Sequence, residues 1–164
     1  MGEEAKKLFI DANAMLKKIV DENWLEARAV WGVFPANQGV EDDIIIHEDT
    51  ERKTEKMRLQ CLRQQLKKAP GQPNRSLSDF IAPIGVPDFI GSFAVSAGFN
   101  IEKMDAWFLQ NLDDYQSILL KALADRLAEA LAEKIHEIVR KETWAYSKNE
   151  SLESYEMERA LTTL

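Results

Sequence analysis

Between Glu3 and Val20 the apolar residues Leu8, Ala12, Met15 and Ile19 recur at helical spacing, with Phe9, Leu16 and Val20 widening the stripe. Lys6, Lys7, Lys17 and Lys18 fall on other faces, so the segment predicts an amphipathic helix. Next, Ala29-Val30-Trp31-Gly32-Val33-Phe34 is apolar at consecutive positions, rich in β-forming types and followed by Pro35. It reads as a strand stopped by Pro35, covered on both faces and central in a sheet. Asn37-Gln38-Gly39 supplies turn chemistry before a second strand through Asp42-Asp43-Ile44-Ile45-Ile46-His47. Lys56 to Gln60 alternates polar and apolar and reads as a strand with one wet face, while Leu62 to Lys67 offers a helical start as the alternative.

A loop at Ala69 to Asn74 precedes a short extended piece, Leu77 to Ala82, and a turn at Pro83-Ile84-Gly85-Val86-Pro87. Phe89 to Val95 predicts the last strand, with Gly91 at a bulge or a close backbone approach. Asn100 is placed to cap a short helix carrying Ile101, Met104, Trp107 and Phe108. Asp113 or Asp114 caps the strongest periodic segment, which runs to about Trp144 on the stripe Leu119, Leu123, Leu127, Leu131, Ile135 and Ile138, filled in by Ile118, Ala122 and Val139. A weak helical pattern recurs in Ser151 to Leu164. Helix first, strands bunched in the middle and helices last predict an α+β fold. Its central antiparallel or mixed β-sheet carries the N-terminal helix and the long C-terminal helix, in a single domain over 1–164.

Composition narrows the function. The 164 residues carry 28 acidic and 21 basic side chains, a net charge of −7, which opposes binding to a phosphate backbone and argues against a nucleic-acid role. No run approaches the roughly 20 apolar residues of a membrane helix, and the acids of Met1-Gly2-Glu3-Glu4 are unlike a signal peptide. With one cysteine, Cys61, no internal disulfide can form; a cytoplasmic location is the expectation.

The candidate chemistry is sparse. His47 and His136 would have to meet to begin a metal site, and adjacent strand residues such as Asp42 and Asp43 point to opposite faces, which favours a turn flank or solvated edge. Arg58 and Arg63 lie near Cys61 in sequence, yet no paired base accompanies the thiol, and Pro83 to Pro87 lacks the spacing of a phosphate loop. No nucleophile–base pair or metal cluster emerges, so no residue is assigned a catalytic or metal-binding role, and the isolated chain is not expected to be catalytic. There remains a carboxylate row, Asp125, Glu129 and Glu133, four residues apart on one face of the long helix. By periodicity alone it is a solvated face; in the functional version one member accepts hydrogen bonds from a cationic or hydroxylated ligand.

Several segments, in order, resemble the activation domain of cobalamin-dependent methionine synthase. They are Leu8-Phe9-Ile10-Asp11-Ala12-Asn13-Ala14-Met15-Leu16, Gly32 to Asn37 with Asp42-Asp43-Ile44, Leu62-Arg63-Gln64-Gln65, Leu77 to Pro83, Asp113-Asp114-Tyr115, and Lys121 to Ala130 continuing to Arg140. The resemblance extends from about Ala5 to Leu152. It implies a module that offers S-adenosylmethionine (AdoMet) to a cobalamin-binding partner module after the cobalamin has been oxidised, with flavodoxin or a related reductase as electron donor. The family glutamate that contacts AdoMet matches Glu129, while Asp125 and Glu133 stay ordinary charged residues. The family's upstream aspartate segment has no counterpart before Met1, and its Arg-Pro-x-x-Gly-Tyr-Pro loop does not follow Tyr155. The resemblance therefore implies an incomplete AdoMet site; a diverged or truncated docking module for a cobalamin protein or flavodoxin is the alternative. Apolar surface left by a missing half would favour a homo-oligomer.

Overall fold

The structure is a computed structural model and describes residues 2–149. Its elements are α1 (Glu3–Asp21), β1 (Glu26–Gln38), β2 (Asp43–His47), β3 (Glu55–Gln60), a 3-10 turn (Leu77–Phe80), β4 (Asp88–Phe99), α2 (Ile101–Gln110), α3 (Asp114–Ile138) and a π-helical turn (Val139–Thr143). The strands form one sheet in the order β3-β2-β1-β4, with β1–β2 and β2–β3 antiparallel. This is the expected α+β class. The chain divides into two compact units, one built from the chain up to Val30 and from Phe93 onward, the other from Trp31–Ser92. The weak pattern at Ser151 to Leu164 lies outside the described residues.

In the first unit, Met15 and Ile19 of α1 form a core cluster with Phe108 of α2 and Leu119 and Leu120 of α3, flanked by Trp24, Met104, Leu123 and Leu127. Burying each large aliphatic side chain of this kind stabilises the fold by roughly 1.5–3 kcal/mol. The packed face of α3 also includes Ser117 and Ala124, so the stripe is rotated from the expected one and leaves Ile118 67% exposed. Ser117 fits because its hydroxyl donates to Asp105 Oδ1 at 2.5 Å, satisfying a polar group inside the stripe. Asp113 caps α3 through a hydrogen bond from the Gln116 N–H at 3.1 Å. Asn100 does occupy the N-cap position of α2, but it adopts a left-handed backbone (φ 71°) and its side chain makes no cap bond.

Four local readings are corrected. Pro35 does not end β1: the β1–β2 pairs run from Ala36 to Gln38, so Pro35 lies outside that ladder and its missing N–H costs no bond to β2. Although β1 is interior in the sheet, Val30 is 67% exposed, so this run is not covered on both faces. The piece at Leu77 is a 3-10 turn rather than extended, because Ser76 and Asp79 form a reciprocal capping box. The helical alternative at Leu62 to Lys67 is not realised; that stretch has no regular structure.

The second unit is held by charge pairs around β2, whose residues are buried throughout. Arg63 donates to both oxygens of Asp42 and of Asp79 and also to the Asn74 carbonyl, tying the loop after β3 to the start of β2 and to the 3-10 turn. Hydrogen bonds from Arg63, then from the Ser76 backbone, hold the Asp79 carboxyl down to about 2. Buried Asp43 accepts from Arg58 at 2.5 Å, and its other oxygen lies where a Cβ on Gly39 would have to be, 1.8 Å away. Gly39 is therefore required by the buried carboxylate.

These contacts predict three outcomes. Leu120→Ala costs about 2–5 kcal/mol in urea unfolding whereas Ile118→Ala costs under about 1 kcal/mol, because only the former opens a cavity. Gly39→Ala destabilises by about 1–3 kcal/mol, while Gly91→Ala, whose Cβ would meet nothing within 4 Å, is near neutral. Asp79 is depressed in the folded state, so its stabilising contribution is complete above its ordinary value near 3.8 and is lost as pH falls through about 2. Arg63→Gln should flatten that acid limb of the unfolding midpoint against pH.

Candidate functional site

The carboxylate row is positioned by the packing of α3. Nine residues separate Leu120 from Glu129, which is half a turn of the helical wheel, so burying Leu120 against α1 and α2 turns Glu129 outward. Asp125, Glu129 and Glu133 are all exposed, and Glu129, 60% exposed, accepts an ion pair from Arg126 Nη1 at 2.7 Å. A pair this open to water contributes little to stability and is readily exchanged for another cation. Three concavities of the first unit, about 290 to 500 Å³, gather instead around Trp24 at the end of α1, with Trp107 or Met104 of α2 on their walls. Glu129 lines none of these.

Other motif residues come together in the structure. Tyr115 at the start of α3 donates its hydroxyl to Asp11 of α1 at 2.9 Å, and that bond raises the phenol's pKa. Asp42, Arg63 and Asp79, from three separated motifs, form the cluster described above. The Asp42-Asp43 pair is thus structural: Asp42 sits at a turn with φ 60°, and both carboxylates are engaged by arginines. The same pairing draws Arg58 and Arg63 to carboxylates, while the Cys61 thiol leans on the Leu59 carbonyl at 3.8 Å.

Each histidine has its own neighbour. Buried Asn37 donates its amide to the carbonyls of Ala82, Pro83 and Val86, which turns its oxygen toward His47 and makes Nε2–H the donor at 3.1 Å. His136 stands edge-on to Phe93, ring centroids 4.8 Å apart. Among the described residues no three His, Cys, Asp or Glu side chains are gathered to hold a metal ion, and no helix is long and apolar enough to cross a membrane.

Comparison with known proteins places this geometry. A solved structure described as "Crystal Structure of the MetH Reactivation Domain bound to AdoHcy" is 47% identical and superposes with a TM-score of 0.87. The match covers 96% of this chain and 48% of that one, so this chain spans about half the length of its solved relative. A sequence profile of the family described as "Vitamin B12 dependent methionine synthase, activation domain" matches residues 1–161. The chain belongs to the activation-domain family of vitamin B12-dependent methionine synthase.

Proposed function

We propose that residues 1–164 are one partial domain of the AdoMet-binding reactivation module of cobalamin-dependent methionine synthase, and that Glu129 is its ligand-contacting residue. The observation that carries this reading is the relative captured with AdoHcy, which shares nearly half of its matched sequence with this chain. AdoHcy differs from AdoMet by the transferred methyl group and its sulfonium charge, so a site for one recognises most of the other.

The donor set suits such a ligand. AdoMet presents an ammonium group, a sulfonium and ribose hydroxyls, all of which favour an anionic acceptor. Glu129 lies on an open face, between Asp125 and Glu133 one turn away on either side, and its present partner is an equally exposed arginine. When bound, AdoMet supplies the methyl group that restores methylcobalamin, with one electron from flavodoxin or a related reductase. The residues of this chain bind and orient; the bond-making belongs to the cobalt on the partner module.

The exposure of Glu129 favours a second reading, in which this chain alone is a docking module for a cobalamin protein or flavodoxin. Calorimetry separates the two. The first predicts saturable AdoHcy or AdoMet binding that weakens about tenfold in Glu129→Gln, the low end for a hydrogen bond to a charged group, and is little changed in Glu133→Gln. No heat at millimolar ligand, together with binding to an isolated cobalamin module, supports the second reading and contradicts the first.

A further inference from the structure

The two faces of the Trp31–Ser92 unit differ in chemistry. Register decides which residues share a face: Ala36 pairs with Ile46, and Ile46 with Met57, so Phe34, Ile46 and Met57 line up on one side of β1, β2 and β3. Asn37 and His47, with their hydrogen bond, occupy the other. On the apolar side a groove of about 460 Å³ lies across the strands, walled by Phe34, Ile46, Met57 and Ile90. Gly91 of β4 lines it and leaves it open, since a Cβ there would meet nothing within 4 Å.

One charge marks its rim. Lys56, on the edge strand β3, lines the groove and makes no ion pair among the described residues, and no carboxylate lines the cavity. The neighbouring arginine, Arg58, is committed to Asp43 and Glu55. The groove therefore offers an apolar bed and a single available cation in a chain whose net charge is −7. Its size falls within that of small-ligand sites, about 300 to 1,000 Å³.

We propose that this groove binds a small amphipathic anion, its apolar body against Phe34, Ile46, Met57 and Ile90 and its anionic group on the Lys56 ammonium. The site uses none of the residues assigned to AdoMet, so the two proposals stand or fall separately.

Octanoate and octylammonium, which share an apolar body and differ in charge, are suitable probes, with the Met57 methyl and Gly91 amide NMR signals of the full chain as reporters. Octanoate should shift both saturably and octylammonium should not, although the protein's overall charge favours the cation. Lys56→Gln should weaken octanoate about five- to tenfold, as expected for loss of a partly exposed charge-assisted bond. Gly91→Leu should fill the groove and abolish binding, and Glu129→Gln should leave it unchanged. Equal shifts with octylammonium, no shift with octanoate, or full octanoate affinity in a folded Gly91→Leu variant would each overturn the proposal. So would Met57 shifts that follow protein concentration instead of octanoate, the behaviour of a groove covered by a second copy. Should Gly91→Leu fail to fold, the charge-reversed probe and Lys56→Gln still decide.

Discussion

The packing of α1 and α2 on one side of α3 is the constraint from which the first unit follows. Met15, Ile19 and Phe108 close on Leu119 and Leu120, and the opposite, charged face of the helix stays exposed. With Leu120 inside, Asp125, Glu129 and Glu133 face away from that core and are exposed. The same contact joins α1 to α3 through Asp11 and Tyr115, two residues from distant motifs that have no evident relation until the helices pack. The face proposed to meet the ligand is thus fixed by apolar residues that never touch it.

The second unit is organised differently. Its long loop between β3 and β4 contains little regular structure beyond one 3-10 turn, and its ends are held by charge. Arg63 reaches two carboxylates and a carbonyl, Asn37 reaches three carbonyls, and Asp43 requires Gly39. The Arg63 and Asn37 contacts tie loops to the sheet by buried or half-buried polar groups engaged from several directions, which is how an irregular segment keeps a defined course, whereas the Asp43 oxygen packed against Gly39 is buried without a hydrogen-bond partner.

Helices α1 and α3 were legible because a repeat of 3.6 residues persists over many turns, and β2 because three β-branched residues stand between turn signals. Other features escaped for specific reasons. The rotation of the α3 stripe depends on Ser117, polar in sequence but satisfied by Asp105 in the fold. The 3-10 turn depends on Ser76 and Asp79 capping each other, a local signal that the surrounding apolar residues obscured. The Arg63 cluster closes over long stretches of chain, and the groove at Lys56 and Gly91 depends on strand register, neither of which periodicity can supply. Glu129 is the converse case: its spacing describes an ordinary solvated residue, its exposure agrees, and only the resemblance of its segment to the family motif marks it out from Asp125 and Glu133 as the proposed contact.

The central claim is that the outward face of α3 is where the ligand sits. Isotope-edited nuclear Overhauser contacts between bound AdoHcy and the labelled chain test it most directly. The account predicts contacts from the ligand to Glu129 and its neighbours Asp125 and Arg126. Contacts confined to the aromatic concavities around Trp24 and Trp107 would contradict it.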